Sequence, residues 1–371
     1  MNIKFLYRKE QSLISCNFVI PYGLRSQYGE KRYEFAHLVE HLIFRGHPSL
    51  NQYDFMVRLE EMGVNINAAT HDNYTELYCR VQKKYLYHVI QLILEAIENF
   101  AISYKDFIQE KRIIEIESRQ MISCEDKILQ LCIDKATEYN KSRNIPRYNT
   151  LKAIYNELYA LQNWSMVIVG AFEEEMRQTI LSRNQNNFID LKLAYRERIL
   201  CNKDLYFNKK SGTDQYFVCL HQCDLSTTKT EMKLIKNLLV SGISSILYNQ
   251  FVAEDGVTYS ISFREYHSRE SFFAVYFKYE TVGFEKLKKQ FKTILDTPEY
   301  IENLPDYLFL RTKNMTVSEY QLKSENTSSI VNDLIECILE KEEFQSYEMI
   351  CQQLEEMSVS QLRKKITKVL F

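Results

Sequence analysis

The sequence predicts an α+β fold of two duplicated domains, each a mixed or antiparallel sheet covered by helices. Three observations carry this expectation. The chain has 371 residues, more than one hydrophobic core usually serves. It contains only 5 Pro and 9 Gly, which favours long regular elements over linkers. The order of strands and helices in the first half also recurs in the second, and duplication of one α+β unit is the economical explanation.

In the first half, residues 13–20 (LISCNFVI) form an apolar, β-branched run that reads as a strand. A helix carrying the stretch FAHLVEHLIFRG (35–46) follows. A second helix, near 51–62, starts after Asn51 and stops at Gly63. Residues 64–81 hold two β-rich runs around the polar turn THDN. Amphipathic helices are expected at about 84–99 and 104–122, then more helix, then the buried strand SMVIVG at 165–170.

In the second half, YFVCLH (216–221) reads as a strand, a long helix is expected over 229–253, and two strands near 257–265 and 271–280. Helices run from about 284 to KKITKVLF, with no counterpart of the first half's closing strand. The polar stretch SRNQNN (182–187) is the expected linker. Residues 1–183 and 202–371 are therefore expected as the two domains.

Composition narrows the function. Net charge is −2 with both signs interspersed and no basic stripe, so nucleic acid is not an expected partner. No apolar run reaches the length of a membrane span, and the N-terminus MNIKFLYRKEQSL lacks a signal-peptide core. Nine scattered cysteines suggest free thiols and a cytoplasmic setting. No glycine-rich phosphate loop indicates a nucleotide.

His37 and His41 are two of only seven histidines, and they stand i and i+4 on one helix. They therefore share a face, one turn apart, and two imidazoles so placed can chelate one tetrahedral Zn²⁺. Glu40 lies on the flank of that face and can reach a water beside the metal without being a ligand. Bound zinc makes such a water acidic, and a nearby carboxylate can take its proton and pass it to a leaving amine. That is the chemistry of peptide-bond hydrolysis, and H-x-x-E-H is the inverzincin order. The competing reading is a packing helix with two incidental histidines.

A catalytic zinc needs a third protein ligand and an open fourth position. The stretch IQEKRIIEIESR places Glu110 and Glu117 two turns apart on one helix face. One could complete the metal's shell while the other steadies it from outside. A solvated face with an ordinary Glu/Lys pattern is the alternative there.

HLVEH with Ala36 before it and Leu42, Phe44 and Gly46 after it, followed by the Glu110/Glu117 pair, resembles the pitrilysin/insulinase family of zinc metallopeptidases. LEEMGVNINAATHDNYTELY resembles the family's segment of Gly, Asn-Ala and a threonine-bearing strand. The resemblance covers most of residues 13–280 in element order, and its motifs lie at 35–46, 63–81 and 110–117. It implies one zinc per chain held by His37, His41 and Glu117, with Glu40 as general base and Glu110 as a supporting acid. It also implies that Asn67, Ala68, Ala69 and Thr70 lie beside a peptide bound as an added strand.

One position departs from the family. The resemblance leads to an arginine seven residues before a tyrosine in the second domain. Tyr259 and Gly256 fit, but the arginine position holds Val252, which cannot donate to a peptide carbonyl. The expectation is thus the zinc-bearing subunit of a heterodimer, whose homologous partner supplies the Arg/Tyr pair, with a homodimer as the alternative. The expected activity is a zinc-dependent endopeptidase acting on extended peptides, such as ribosomally made precursors. A non-catalytic or substrate-binding subunit of a peptidase complex is the other reading. CLHQC places Cys219, His221 and Cys223 on one strand face, where free cysteine acts as a small hydrophobe. His71 is a turn residue within reach of the strand edge. His47, His88 and His267 have no convergent partners in the sequence and are read as surface or incidental.

Overall fold

The computed structural model describes residues 1–26, 34–120, 123–137, 145–184, 200, 203–266, 271–280 and 282–371. In chain order the first half comprises β1 (Asn2–Tyr7), β2 (Leu13–Ile20), α1 (Phe35–Ile43), α2 (Gln52–Glu61), β3 (Asn67–Thr70), β4 (Thr75–Gln82), α3 (Leu86–Glu98), α4 (Tyr104–Gln120), α5 (Cys124–Ala136), α6 (Tyr148–Leu158), β5 (Ser165–Gly170) and α7 (Glu174–Asn184). The second comprises β6 (Asp204–Ser211), β7 (Asp214–Gln222), α8 (Lys229–Leu239), α9 (Ile246–Tyr248), β8 (Ser262–Tyr266), β9 (Phe272–Tyr279), α10 (Phe284–Leu295), α11 (Pro298–Glu302), α12 (Asp306–Glu325), α13 (Thr327–Glu340), α14 (Tyr347–Glu356) and α15 (Val359–Leu370).

The chain divides into two compact units, and neither is contiguous. Unit 1 takes Met1–Met121, Lys141–Arg196 and Asn326–Phe344; unit 2 takes Ile122–Asn140, Glu197–Glu325 and Gln345–Phe371. A single cut between 183 and 202 does not reproduce these units. α5 comes from the N-terminal half but belongs to unit 2, and α13 comes from the C-terminal half but belongs to unit 1. Each helix supplies an apolar face that a sheet needs. The expected linker at 182–187 lies partly outside the described residues.

Unit 1 is built on a five-stranded sheet in the order β1-β5-β2-β4-β3. β1 runs parallel to β5 and the other neighbours are antiparallel. β2 and β5 are buried along almost their whole length, as strands covered on both faces must be. Phe18, Leu77, Met166 and Ile168 join the main core with α1, α3 and α6. Val19, Val167 and Val169 alternate to the other face, where α13 packs on β2 and β5. α13 buries Ile330, Val331, Leu334 and Ile335.

Unit 2 has a four-stranded antiparallel sheet in the order β6-β7-β9-β8. Ile128, Leu129, Cys132 and Ile133 of α5 pack on Val218, Leu220, Phe272 and Ala274. On the opposite face Phe217 meets Phe291 of α10, with ring centres 4.6 Å apart. The strand expected to be missing from the second half is absent among the described residues. β6 pairs directly on β7 in the place where β5 stands between β1 and β2.

The helix expected over 229–253 is interrupted. α8 ends at Leu239, Gly242 takes φ +79°, and the chain resumes as α9 and a π-helical turn, Asn249–Glu254. Arg311 stabilises the break by donating to the Asn237 carbonyl at 2.9 Å and to that of Ser241, carbonyls that the helix end leaves open. The strand expected from 257 begins only at Ser262. Gly256, at φ +57°, and a Thr258–Ser260 turn occupy the earlier residues.

Candidate metal centre

α1 divides its residues sharply. Phe35, Ala36, Leu38, Val39, Leu42 and Ile43 are buried in the unit 1 core. The remaining stripe of His37, Glu40 and His41 is half-buried. The apolar positions hold the helix against the sheet, and the polar stripe is what remains to face solvent.

α4 lies against α1 and brings Glu117 to the same place. His37 Nε2 and His41 Nε2 are 3.3 Å apart, and Glu117 Oε2 stands 3.5 Å from the first and 3.4 Å from the second. Four donors about 2.0–2.1 Å from a zinc ion, tetrahedrally arranged, are separated by about 3.3–3.4 Å. The three side chains thus form a triangle of the size that one face of such a shell requires. Their side chains are 28%, 15% and 32% exposed, so a fourth position is open to solvent. Two imidazoles and a carboxylate are also a donor set that suits zinc. Among the described residues this is the one group of three such donors close enough to share an ion.

Glu110 completes the surroundings without joining the triangle. Its Oε2 accepts from His41 Nδ1 at 2.9 Å, so the proton sits on Nδ1 and the Nε2 lone pair is free to bind metal. Its other oxygen meets Arg45 Nη2 at 2.5 Å, and Arg45 Nη1 reaches Asp106 at 3.2 Å. Glu110 is buried, and a buried carboxylate needs such a partner. Arg45 is the participant that sequence reasoning missed. Its only signal was a cation one turn after His41.

Burial lowers the His37 pKa and the neighbouring His41 adds to this, against the raising pull of Glu40, Glu117 and Glu34. Burial acts in the same direction on His41. There the hydrogen bond to Glu110 and the charges of Glu117, Glu110 and Glu40 outweigh it, and the His41 pKa is raised.

Glu40 is held by the sheet. The Thr70 hydroxyl at the end of β3 donates to Glu40 Oε2. β3 is an edge strand, paired only with β4 among the described residues. Asn67, Ala68, Ala69 and Thr70 therefore form a sheet margin on which an extended chain can add.

Other expected residues lie elsewhere. Tyr259 belongs to unit 2 and is 94% exposed. Val252 is half-buried in the π-helical turn. Cys219 and Cys223 are buried, and both ring nitrogens of His221 are already engaged, Nδ1 by Asp204 and Nε2 by the Leu370 carbonyl at 2.9 Å. That strand has no metal-binding imidazole to offer. His47 is not at the surface: it is buried against Phe55 and bonds Glu95 at 3.2 Å. His71 stacks on Tyr74 and meets Glu76 at 3.0 Å. His88 is exposed, and His267 lies outside the described residues.

Fold and cluster together define a two-unit α+β protein with an inverted His-x-x-Glu-His helix and a distant glutamate. The model of the insulinase family (peptidase family M16) matches residues 12–151, and that of the "peptidase M16 inactive domain" matches residues 147–315. The chain belongs to this family. It is 26% identical to the mitochondrial-processing peptidase subunit beta of Bos taurus over 137 residues, 36% of this chain and 27% of that protein. The matched region is thus about a quarter of that relative's length. It is 20% identical to the uncharacterized zinc protease YmxG of Bacillus subtilis (strain 168) over 276 residues, 71% of this chain and 67% of that one. A protease from Helicobacter pylori has the same fold, with a TM-score of 0.81 at 16% identity, covering 100% of this chain and 94% of the other.

Proposed function

We propose that this chain is a zinc-dependent endopeptidase of the insulinase family, acting on peptides in extended form. The observation that carries the reading is the His37, His41 and Glu117 triangle with Glu40 on its flank. Zinc, when bound there, supplies a Lewis acid that polarises the scissile carbonyl and acidifies the attacking water. His37, His41 and Glu117 would hold the ion, and Glu110 would orient His41. Glu40, beside the open position, takes a proton from the attacking water and delivers it to the departing amide nitrogen. The β3 margin binds the peptide main chain and presents its carbonyl to the cluster.

The relationship to a peptidase subunit and the valine at position 252 favour a heterodimer, in which a homologous chain supplies the missing cation. A non-catalytic subunit remains the second reading, favoured by Val252 alone. The complete set of metal-side groups argues against it, since a scaffold has no use for them.

Elemental mass spectrometry of the purified chain and of Glu117→Gln tests the proposal. About one zinc per chain, lost in the variant, is the expected result. A folded, metal-free wild type would end the peptidase reading. Zinc-loaded chain that cleaves peptides at full rate by itself would end the heterodimer.

A further inference from the structure

We infer that Thr70 is a positioning residue for Glu40, so that the strand offered to the peptide also aims the carboxylate that acts on it. The inference rests on the peptidase reading above.

The register of β3 on β4 supplies the first part of the argument. Asn67, Ala68, Ala69 and Thr70 stand opposite Tyr78, Leu77, Glu76 and Thr75. The turn beyond closes with His71 N–H donating to the Tyr74 carbonyl at 2.8 Å, so His71 and Tyr74 form a hydrogen-bonded pair. Such pairs alternate along an antiparallel ladder. Ala69 and Glu76 are then the next bonded pair, and Ala68 and Thr70 turn their main-chain groups to the open edge. The Ala68 N–H agrees, because it donates to its neighbour Asn67 Oδ1 at 2.9 Å.

The side chain of Thr70 supplies the second part. Strand side chains stand perpendicular to the ladder bonds, and that of Thr70 is directed at α1, where its hydroxyl donates to Glu40 Oε2. One residue therefore faces the incoming peptide with its backbone and the base with its hydroxyl. Its opposite number, Thr75, is buried and donates to the Tyr22 carbonyl at 2.8 Å, which anchors the strand pair. The hydroxyl restrains one carboxylate oxygen and leaves Oε1 for the proton in transit. Without it, Glu40 is a half-exposed side chain free to change rotamer, and small misplacements of catalytic groups are costly.

Thr70→Val tests this, because it removes the hydroxyl and keeps both the shape and the strand preference. With the zinc-loaded chain and whatever partner activity requires, kcat should fall about 10- to 100-fold. KM and zinc content should stay at their wild-type values, and Thr70→Ser should restore kcat. A readout independent of turnover is the urea midpoint across wild type, Thr70→Val, Glu40→Ala and the double variant. The two single shifts should not add, because the residues touch. Additive shifts, or a raised KM with kcat kept, would overturn the inference while leaving an active zinc peptidase in place. A wild type with neither zinc nor cleavage would overturn both.

Discussion

Arg45 carries the charge that allows Glu110 to be buried beside His41. Its two arms bridge Glu110 and Asp106, and the Asp106 pKa is lowered: burial raises it, but the hydrogen bonds from Ser103 and the charge of Arg45 prevail. Replacing Arg45 with methionine leaves Glu110 uncompensated and free to turn from His41. Zinc affinity should then drop about 10- to 100-fold, the usual effect of losing an outer partner, as read by chelator competition. Arg45→Lys should recover only part, because one ammonium cannot span both carboxylates as a guanidinium does. Glu40→Gln separates binding from chemistry: zinc should stay, while turnover falls by about 10²–10⁴-fold. The raised His41 pKa gives a pH dependence. Metal requires the neutral ring, so the proton competes longer than it would at an ordinary imidazole. Affinity should weaken as pH falls through that raised value and level off above it, measured by the same competition. His37 with His41, and Glu110 with Glu117, were legible as pairs because helical spacing fixes which residues share a face, and only the family resemblance joined the two pairs into one site. Arg45 was not, because nothing in the local sequence says that an exposed-looking cation will meet a carboxylate from another helix.

The hairpin of β3 and β4 is the element on which the proposed peptide binding depends, and its turn is set by close contact with the chain at residues 22–26. A Cβ on Gly23 would stand 2.4 Å from the His71 carbonyl oxygen and 2.5 Å from the Tyr74 nitrogen. Both are backbone atoms, so the turn itself would have to move. The absence of a side chain lets Leu24 N–H reach His71 O at 2.9 Å and Arg25 N–H reach Asp72 O at 2.8 Å. Gly23→Ala should cost about 1–3 kcal/mol, as overpacking does, and should speed amide exchange at His71 before elsewhere in the sheet. Ala68→Pro probes the margin itself. It deletes an N–H that faces away from β4, a place where a strand tolerates proline. KM should rise about tenfold, the worth of one main-chain hydrogen bond, with zinc content unchanged. Strands β2, β4, β5, β7 and β9 were readable from apolar runs. β1 and β6 were passed over because edge strands such as NIKFLY and DLYFNKKS mix exposed charge with half-buried apolar residues. The break after α8 was hidden because an apolar periodicity continues past Gly242, and Arg311, which caps the break, lies far along the chain.

At the scale of the whole molecule, duplication was legible as a repeated order of elements, but the exchange of helices was not. Helical periodicity says that α5 and α13 each have a buried face. It does not say which sheet receives it. Deleting residues 326–344 should strip the cover from Val19, Val167 and Val169 and lower the thermal stability of unit 1. Zinc should be lost with it, although none of the deleted residues is a ligand; calorimetry with metal analysis checks both. The same exchange governs how the protein is made. On the ribosome, domains generally fold in order as they emerge. Here the five-stranded sheet must wait, one apolar face uncovered, until most of the chain has been translated. Each half now holds a helix that the other half's sheet packs against, so neither half expressed alone carries a complete unit.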